Sequence, residues 1–244
     1  MKFSPYSFSK ASTFYQCPYK FKLKYIDKIK IPFETNIALE KGKYIHSLIE
    51  HDIKNEKLKD FKFEIASEKD VQNFNQIFNN LQINPLYNYF KSKNGFTELG
   101  FSLKIQDKKI IPGKYDSDSL IRGYIDYLFI EDNKAIIIDW KTGKYKEDIN
   151  EMQVIIYSVW AFLNFNIDIV ETYFFFVEHS KYVKKTFKKE QLNELLKKIL
   201  LYLRKIEKCN NFDKNISPLC NYCEFKKFGY CDGKENFDKF NVNL

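Results

Sequence analysis

A predicted β-hairpin near the middle of the chain constrains the fold more than any other feature. Residues 121–130 and 135–141 are rich in β-branched and aromatic residues, which is typical of strands. Asp132 and Asn133 lie between them and suit a tight two-residue turn. The isoleucines at 136–138 form an uninterrupted apolar run, which indicates a strand inside the core. The chain is therefore expected to build a sheet in which this strand is covered.

Three charged residues lie close together in this hairpin. With the predicted turn, Asp126 is opposite Asp139, and Lys141 shares the face of Asp139 because side chains alternate along a strand. Two adjacent carboxylates repel each other unless a proton or a cation lies between them. Hard divalent ions such as Mg²⁺ take oxygen ligands of this kind, and a lysine beside the ion can steady a phosphate or a water. Charges that end a buried strand favour a metal-dependent hydrolase site over an ordinary charged surface.

Several short segments form an ordered set of motifs. They are Gly-Tyr-Ile-Asp at 123–126, Asp-Trp-Lys-Thr-Gly at 139–143, Gly-Lys-Tyr-Ile-His at 42–46, Gln-Val-Ile-Ile-Tyr at 153–157 and a Cys-Pro segment within 7–21. In this order they resemble the motifs of PD-(D/E)XK nucleases, and in particular those of the RecB-like exonuclease branch. The resemblance covers nearly the whole chain. It implies an α/β, restriction-endonuclease-like fold, in which helices flank a mixed central sheet.

The resemblance also implies an activity and a set of site residues. The activity is that of a Mg²⁺- or Mn²⁺-dependent DNA nuclease, and exonuclease action on single-stranded ends is usual in the branch. The implied metal ligands are His46, Asp126 and Asp139, with the Trp140 carbonyl as an extra ligand. The implied catalytic residues are Asp126, Asp139, Lys141, Gln153 and Tyr157. Lys141 would position water and stabilise the transition state, and Gln153 and Tyr157 would hold the DNA strand or orient Lys141. Glu98 is a candidate for an additional carboxylate of the site, although the favoured interpretation is a strand residue that faces solvent.

The cysteines give a second signal. Cys220 and Cys223 form a Cys-x-x-Cys pair, and Cys231 follows eight residues later. Such spacing favours a metal over a disulfide in a reducing compartment, and by itself it allows either zinc or an iron–sulfur cluster. The sequence resembles the iron–sulfur subgroup that includes AddB-type and CRISPR spacer-acquisition exonucleases. That resemblance assigns Cys17, Cys220, Cys223 and Cys231 to a structural [4Fe-4S] cluster, although the last gap is longer than usual; Cys209 has no place in it.

Length and composition suit one folded unit. The 244 residues are 44% hydrophobic, which is compatible with a single nuclease domain over 1–244. We expect residues 54–96 to form a helical insertion over the site, and residues 208–244 to form a cysteine-rich tail that completes the cluster with Cys17. No stretch approaches the roughly 18 apolar residues of a membrane span, so a soluble, cytoplasmic protein is expected.

The charge balance favours a polyanionic partner. The chain has 40 basic and 32 acidic residues, a net charge of +8, which is permissive for such a partner but does not identify it. The partner that the resemblance implies is DNA, single-stranded or with free ends. An alternative is a DNA-end-binding or processing subunit of a larger complex with little activity alone, since no helicase or ATP-binding motif is present. A zinc-stapled structural protein is a third, less favoured interpretation.

Local patterns predict most of the elements. Residues 10–25 and 39–58 are predicted as helices, and the aromatic residues of the first are expected to pack in the core rather than stack on bases. A helix over 71–81 is expected to end at Asn84-Pro85. Residues 112–119 are predicted as a turn-rich loop near the substrate.

Overall fold

A six-stranded mixed sheet forms the centre of the protein. The structure is a computed structural model that describes residues 2–32, 34–58 and 60–233. The strand order is β2-β1-β3-β4-β5-β6. Neighbouring strands are antiparallel except β4 and β5, which are parallel. The strands are β1 (Gly95–Gln106), β2 (Lys109–Lys114), β3 (Ile121–Glu131), β4 (Lys134–Lys141), β5 (Ile169–Phe176) and β6 (Lys181–Lys188).

Helices cover both faces of the sheet. The main helices are α1 (Phe8–Gln16), α2 (Pro18–Phe21), α3 (Ile37–Ile53), α4 (Glu68–Gln82), α5 (Pro85–Lys91), α6 (Glu151–Asn164), α7 (Leu192–Glu207) and α8 (Glu224–Lys227). Apolar residues of α1, α6 and α7 pack on one face of the sheet, and those of α3, α4 and α5 pack on the other. Helix α6 connects the parallel strands β4 and β5, which need a crossover of this length. The predicted α/β fold, a mixed central sheet flanked by helices, is confirmed.

The predicted hairpin has the predicted register. Tyr127 pairs with Ile138, and Glu131 pairs with Lys134. Asp132 and Asn133 have φ angles of 46° and 61°, as a turn with two left-handed central residues requires. The paired turn residues fix which residues of β3 and β4 meet further along, and so they bring Asp126 to the end of β4 that carries Asp139.

The first predicted helix is interrupted, which corrects the expectation of one helix over 10–25. Cys17 has an extended backbone, with φ −159° and ψ 108°, and separates α1 from α2. The reason is Pro18, because the ring of a proline disfavours the helical conformation in the residue before it. A π-helix at Lys22–Ile26 then continues from α2. The break turns the Cys17 side chain away from the regular helix surface.

Two further segments differ from the predictions. Residues 109–114, part of which was expected to be a loop, form the edge strand β2; Pro112 is tolerated there because an edge strand leaves half of its donors unpaired. Helix α4 ends at Gln82, just before Asn84-Pro85 as predicted, and the Asn84 side chain caps a second helix, α5, by accepting hydrogen bonds from the backbone of Leu86 and Tyr87. Both helices lie within residues 54–96, the proposed insertion.

The C-terminal segment is described only in part. Residues 218–222 form a 3₁₀ helix, and α8 follows. Residues 234–244 of the expected cysteine-rich tail lie outside the described residues. Within the described ranges, no helix is both long and apolar enough to cross a membrane.

Candidate active site

The site begins where β3 and β4 separate. Their pairing ends at Tyr127 and Ile138, although both strands continue. Ile125 packs in the core on the α6 side of the sheet, whereas Tyr127 packs in the opposite core, so β3 changes face between them. Asp126 stands at this change, and its Oδ2 accepts a hydrogen bond of 2.8 Å from the Trp140 backbone N–H. A side-chain carboxylate therefore satisfies the donor that strand pairing leaves free.

Asp139 lies at the centre of a hydrogen-bonded group on the α6 side. Its carboxylate is 4% exposed, and Oδ1 accepts from Gln153 Nε2 at 2.8 Å. The Tyr157 hydroxyl lies 3.1 Å from the same Oδ1 and 3.2 Å from the Tyr124 backbone oxygen. Lys141 Nζ contacts Asp139 Oδ2 and lies 3.4 Å from Gln153 Oε1. The sequence-predicted Asp139, Lys141, Gln153 and Tyr157 are thus brought into direct contact.

A second group, the acidic cluster of His46, Glu98 and Asp126, lies at the backbone of Trp140, the residue that follows Asp139. Asp126 bonds the N–H of Trp140 and His46 bonds its carbonyl. The three side chains each place a ligand atom within 4.8 Å of the others. His46 Nε2 donates to the Trp140 carbonyl at 2.9 Å, which leaves Nδ1 3.7 Å from Asp126 Oδ2 and 4.0 Å from Glu98 Oε1. A histidine fixed by one ring nitrogen to a backbone carbonyl, with the other nitrogen facing carboxylates, is a common arrangement at metal sites.

This cluster differs from the predicted ligand set. His46 and Asp126 are adjacent as expected, but Glu98, interpreted from the sequence as a solvent-facing residue, is the third member. Asp139 is held instead by Gln153 and Lys141 in the neighbouring group.

An unusual backbone conformation places Glu98 in the cluster. Thr97 and Leu99 pair with Tyr127 and Ile125, while Glu98 itself is left out of the ladder, opposite Asp126. Its φ is +47°, a left-handed conformation that is unfavourable for a residue with a side chain and occurs often at functional sites. Alternation along β1 could not reveal this, because the irregularity depends on pairing with a strand more than twenty residues away.

The electrostatics of the site favour a bound cation. Burial, together with the charge of Asp139, raises the pKa of Asp126 to about 7. Burial lowers the pKa of His46, but the Glu98, Asp126 and Asp139 carboxylates outweigh it and raise that pKa to about 9. Burial and the Asp139 charge raise the pKa of Tyr157 well above its ordinary value, so its hydroxyl remains a donor. These pKa shifts all reflect negative charge concentrated in a site that is largely buried from solvent.

A separate pocket, the cysteine pocket, lies between α2 and the C-terminal segment and is lined by Cys17, Cys220, Cys223 and Cys231. Cys17 Sγ accepts backbone hydrogen bonds from Lys20 at 3.4 Å and Asn215 at 3.5 Å. Four thiol side chains from two distant segments of the chain thus line one pocket, a set of donors that suits zinc or an iron–sulfur cluster.

Cys209 lies apart from that pocket. Its Sγ donates to the Asn211 carbonyl at 3.0 Å, and the side chain packs against the core. Burial raises the pKa of this thiol. The structure therefore separates Cys209 from the other four cysteines, as its position in the sequence suggested.

Comparison of the sequence with known protein families identifies the family of this chain. The sequence profile described as the PD-(D/E)XK nuclease superfamily matches residues 5–229, which include the residues of both hydrogen-bonded groups and all the pocket cysteines except Cys231. Two solved structures are similar in outline. SSO0001 is 14% identical, with 93% of this chain and 86% of that chain covered and a TM-score of 0.38. A candidate exonuclease from Eubacterium rectale is 13% identical, with coverage of 88% and 91% and a TM-score of 0.49. No curated protein matches the sequence.

Proposed function

This chain belongs to the PD-(D/E)XK nuclease superfamily, and from that premise we propose that it is a metal-dependent DNA exonuclease that hydrolyses phosphodiester bonds at single-stranded ends. Nucleases of the superfamily act on DNA with divalent metals such as Mg²⁺. The single observation that carries the proposal is the convergence of ligand atoms from His46, Glu98 and Asp126, close enough to the Asp139–Lys141 pair that the Asp139 charge raises the pKa of Asp126.

The residues present fit a divalent cation. Asp126 and Glu98 offer carboxylate oxygens and His46 offers Nδ1. The raised pKa values of Asp126 and His46 reflect surrounding negative charge, which a bound cation would offset. We propose that His46, Asp126 and Asp139 hold Mg²⁺ or Mn²⁺, with Glu98 as an additional ligand and the Trp140 carbonyl nearby. Such an ion, when bound, supplies Lewis-acid charge and a water of lowered pKa.

The group around Asp139 would position the attacking water and the phosphate. Lys141 Nζ is held between Asp139 Oδ2 and Gln153 Oε1, so its ammonium points to a fixed place at the end of β4. There it would steady the attacking water and stabilise negative charge on the phosphate in the transition state. Gln153 and Tyr157 are one turn apart on α6 and both contact Asp139 Oδ1. Their role would be to fix the orientation of that carboxylate and, through it, of Lys141.

We also propose that the cysteine pocket holds a [4Fe-4S] cluster with a structural role. The support for this choice is the one-plus-three cysteine pattern of the sequence, whose four members all line this pocket, together with the two backbone N–H groups that donate to Cys17 Sγ. Such a cluster would tie α2 to the C-terminal segment across most of the chain and so restrict the unfolded state. Analysis of anaerobically purified protein should find iron and sulfide; zinc without iron would contradict the assignment.

The nuclease proposal is tested with end-labelled single-stranded DNA and Mn²⁺. The wild-type protein should cleave, Asp139→Ala should not, and the product ladder would show the polarity. Asp60→Ala, at an exposed position that belongs to neither group of site residues, is the matched control and should cleave normally. Binding without cleavage by wild type and by Asp139→Ala alike would contradict the proposal and favour a processing subunit that needs its complex.

A further inference from the structure

Two exposed tyrosines stack on each other beside the candidate active site. The rings of Tyr115 and Tyr124 have their centroids 4.7 Å apart at an interplanar angle of 29°. Tyr115 is 40% exposed and Tyr124 is 51% exposed. Aromatic rings of this size usually bury most of their surface. An exposed stacked pair therefore presents a flat apolar surface to solvent, where it is available to a ligand.

The pair is held in place by its surroundings. Gly100 of β1 pairs with Tyr124, and a Cβ added at Gly100 would lie 3.0 Å from Tyr115 Cβ and 3.3 Å from Tyr124 Cε1. The absent side chain at this position thus makes room for both tyrosines over the sheet. The Arg122 guanidinium lies 4.6 Å from the Tyr115 ring centroid, and its Nη1 donates to the Asp116 carbonyl at 2.8 Å. The loop that carries Tyr115 is therefore fixed to β3.

The tyrosine pair opens directly onto the catalytic group. Tyr124 precedes Asp126 by two residues on β3, and its backbone oxygen lies 3.2 Å from the Tyr157 hydroxyl. Tyr115, Tyr124 and Arg122 line one groove together with Gln153 and Tyr157. A strand that passes through this groove would meet the tyrosines within a nucleotide or so of the residues that contact Asp139, since one nucleotide spans only a few ångströms.

We propose that Tyr115 and Tyr124 form a stacking platform for an unpaired base next to the reacting phosphate, and that this platform selects single-stranded DNA for the nuclease site. The inference rests on the proposed nuclease function. Bases present a flat face that stacks on aromatic side chains whatever their sequence. Bases inside a duplex are already stacked on their neighbours, so a blunt duplex gains nothing at the platform without unstacking. Arg122 and the net charge of +8 favour the accompanying phosphates.

The test compares ring removal with ring retention. Tyr124→Leu should raise KM for single-stranded DNA by about 5- to 150-fold, the range that loss of one base–aromatic stack corresponds to. It should change kcat little and leave the slow cleavage of blunt duplex unaltered. Tyr124→Phe keeps the ring and should behave as wild type. Tyr182→Leu removes an equally exposed tyrosine, 47% exposed, from the far edge strand β6 and is the matched control. Thermal melts verify that each variant is folded.

Abasic substrates locate the stacked base. A series of strands with one abasic nucleotide at successive positions should show a KM defect at one register with wild type, and no register dependence with Tyr124→Leu. Equal behaviour of Tyr124→Leu and Tyr182→Leu, or a register defect that persists in Tyr124→Leu, would overturn the platform while leaving the nuclease intact.

A binding measurement separates the two proposals. Quenching of a 2-aminopurine base in single-stranded DNA, measured without divalent metal, should depend on the ring at position 124. If the wild type cleaves nothing but quenches 2-aminopurine in a ring-dependent way, the proposed nuclease function fails and the platform stands. If neither cleavage nor ring-dependent quenching occurs, both fail.

Discussion

Replacement of Glu98 by glutamine removes one negative charge from the acidic cluster and keeps the size of the side chain. A carboxylate and a dication about 4 Å apart attract each other by about 2 kcal/mol in bulk water and by about 8 kcal/mol at the effective dielectric constant near a protein surface. Because the Glu98 side chain is 40% exposed, solvent screens the pair, and we take about 2–3 kcal/mol as the attraction lost.

Part of this loss is offset by His46. The metal must displace a proton from Nδ1, and the pKa of about 9 makes that displacement unfavourable at pH 8 by about 1.4 kcal/mol. Without the Glu98 charge the pKa of His46 falls, so up to that amount is returned. The net weakening should be about 1–2 kcal/mol, or roughly 5- to 30-fold in the dissociation constant for Mn²⁺.

Calorimetric titration of Mn²⁺ at pH 8 measures this change. Glu194→Gln on the exposed surface of α7 is the control for a general charge effect and should bind Mn²⁺ as the wild type does. Unchanged Mn²⁺ affinity in Glu98→Gln, together with a large loss in Asp139→Ala, would refute the reasoning. It would restore the ligand set expected from the sequence, in which Glu98 has no part.

Three further predictions concern other parts of the two sites. Lys141→Met should lower kcat for DNA cleavage by about 10²- to 10³-fold without weakening Mn²⁺ binding, since it removes a positive charge beside Asp139, one of the proposed ligands; a loss of Mn²⁺ affinity in parallel with kcat would argue against this. The Asp126 pKa rises from about 4 when unfolded to about 7 when folded, so its protonated form stabilises the metal-free protein below pH 4 and that contribution is lost as pH rises through 7. The melting temperature without metal should therefore fall between pH 5 and 8, and less steeply in Asp126→Asn. Cys17→Ser should lose iron and melt at a lower temperature, whereas Cys209→Ser, outside the cysteine pocket, should do neither.

Regular patterns in the sequence were sufficient for the β3–β4 hairpin and for the contacts that Gln153 and Tyr157 make with Asp139. The turn residues Asp132 and Asn133 determine the β3–β4 register, and that register brings Asp126 to the end of β4 next to Asp139. The spacing of Gln153 and Tyr157 on one helix likewise places both on a single carboxylate oxygen. In each case the relevant geometry is local, so alternation along a strand or one helical turn determines it.

The placements that local sequence patterns could not predict lie where regular structure is broken. Glu98 enters the acidic cluster because its backbone leaves the β1 ladder, and Tyr115 reaches Tyr124 because the chain turns after β2. Cys17 enters its pocket because Pro18 interrupts a helix that the aromatic pattern predicted to continue. A side chain in a regular element has neighbours of the same element on either side, which limits how closely groups from distant segments can approach it. A break in the helix or strand removes that limit. Sites that bring together residues from distant segments therefore arise where the regular pattern of a helix or strand is interrupted.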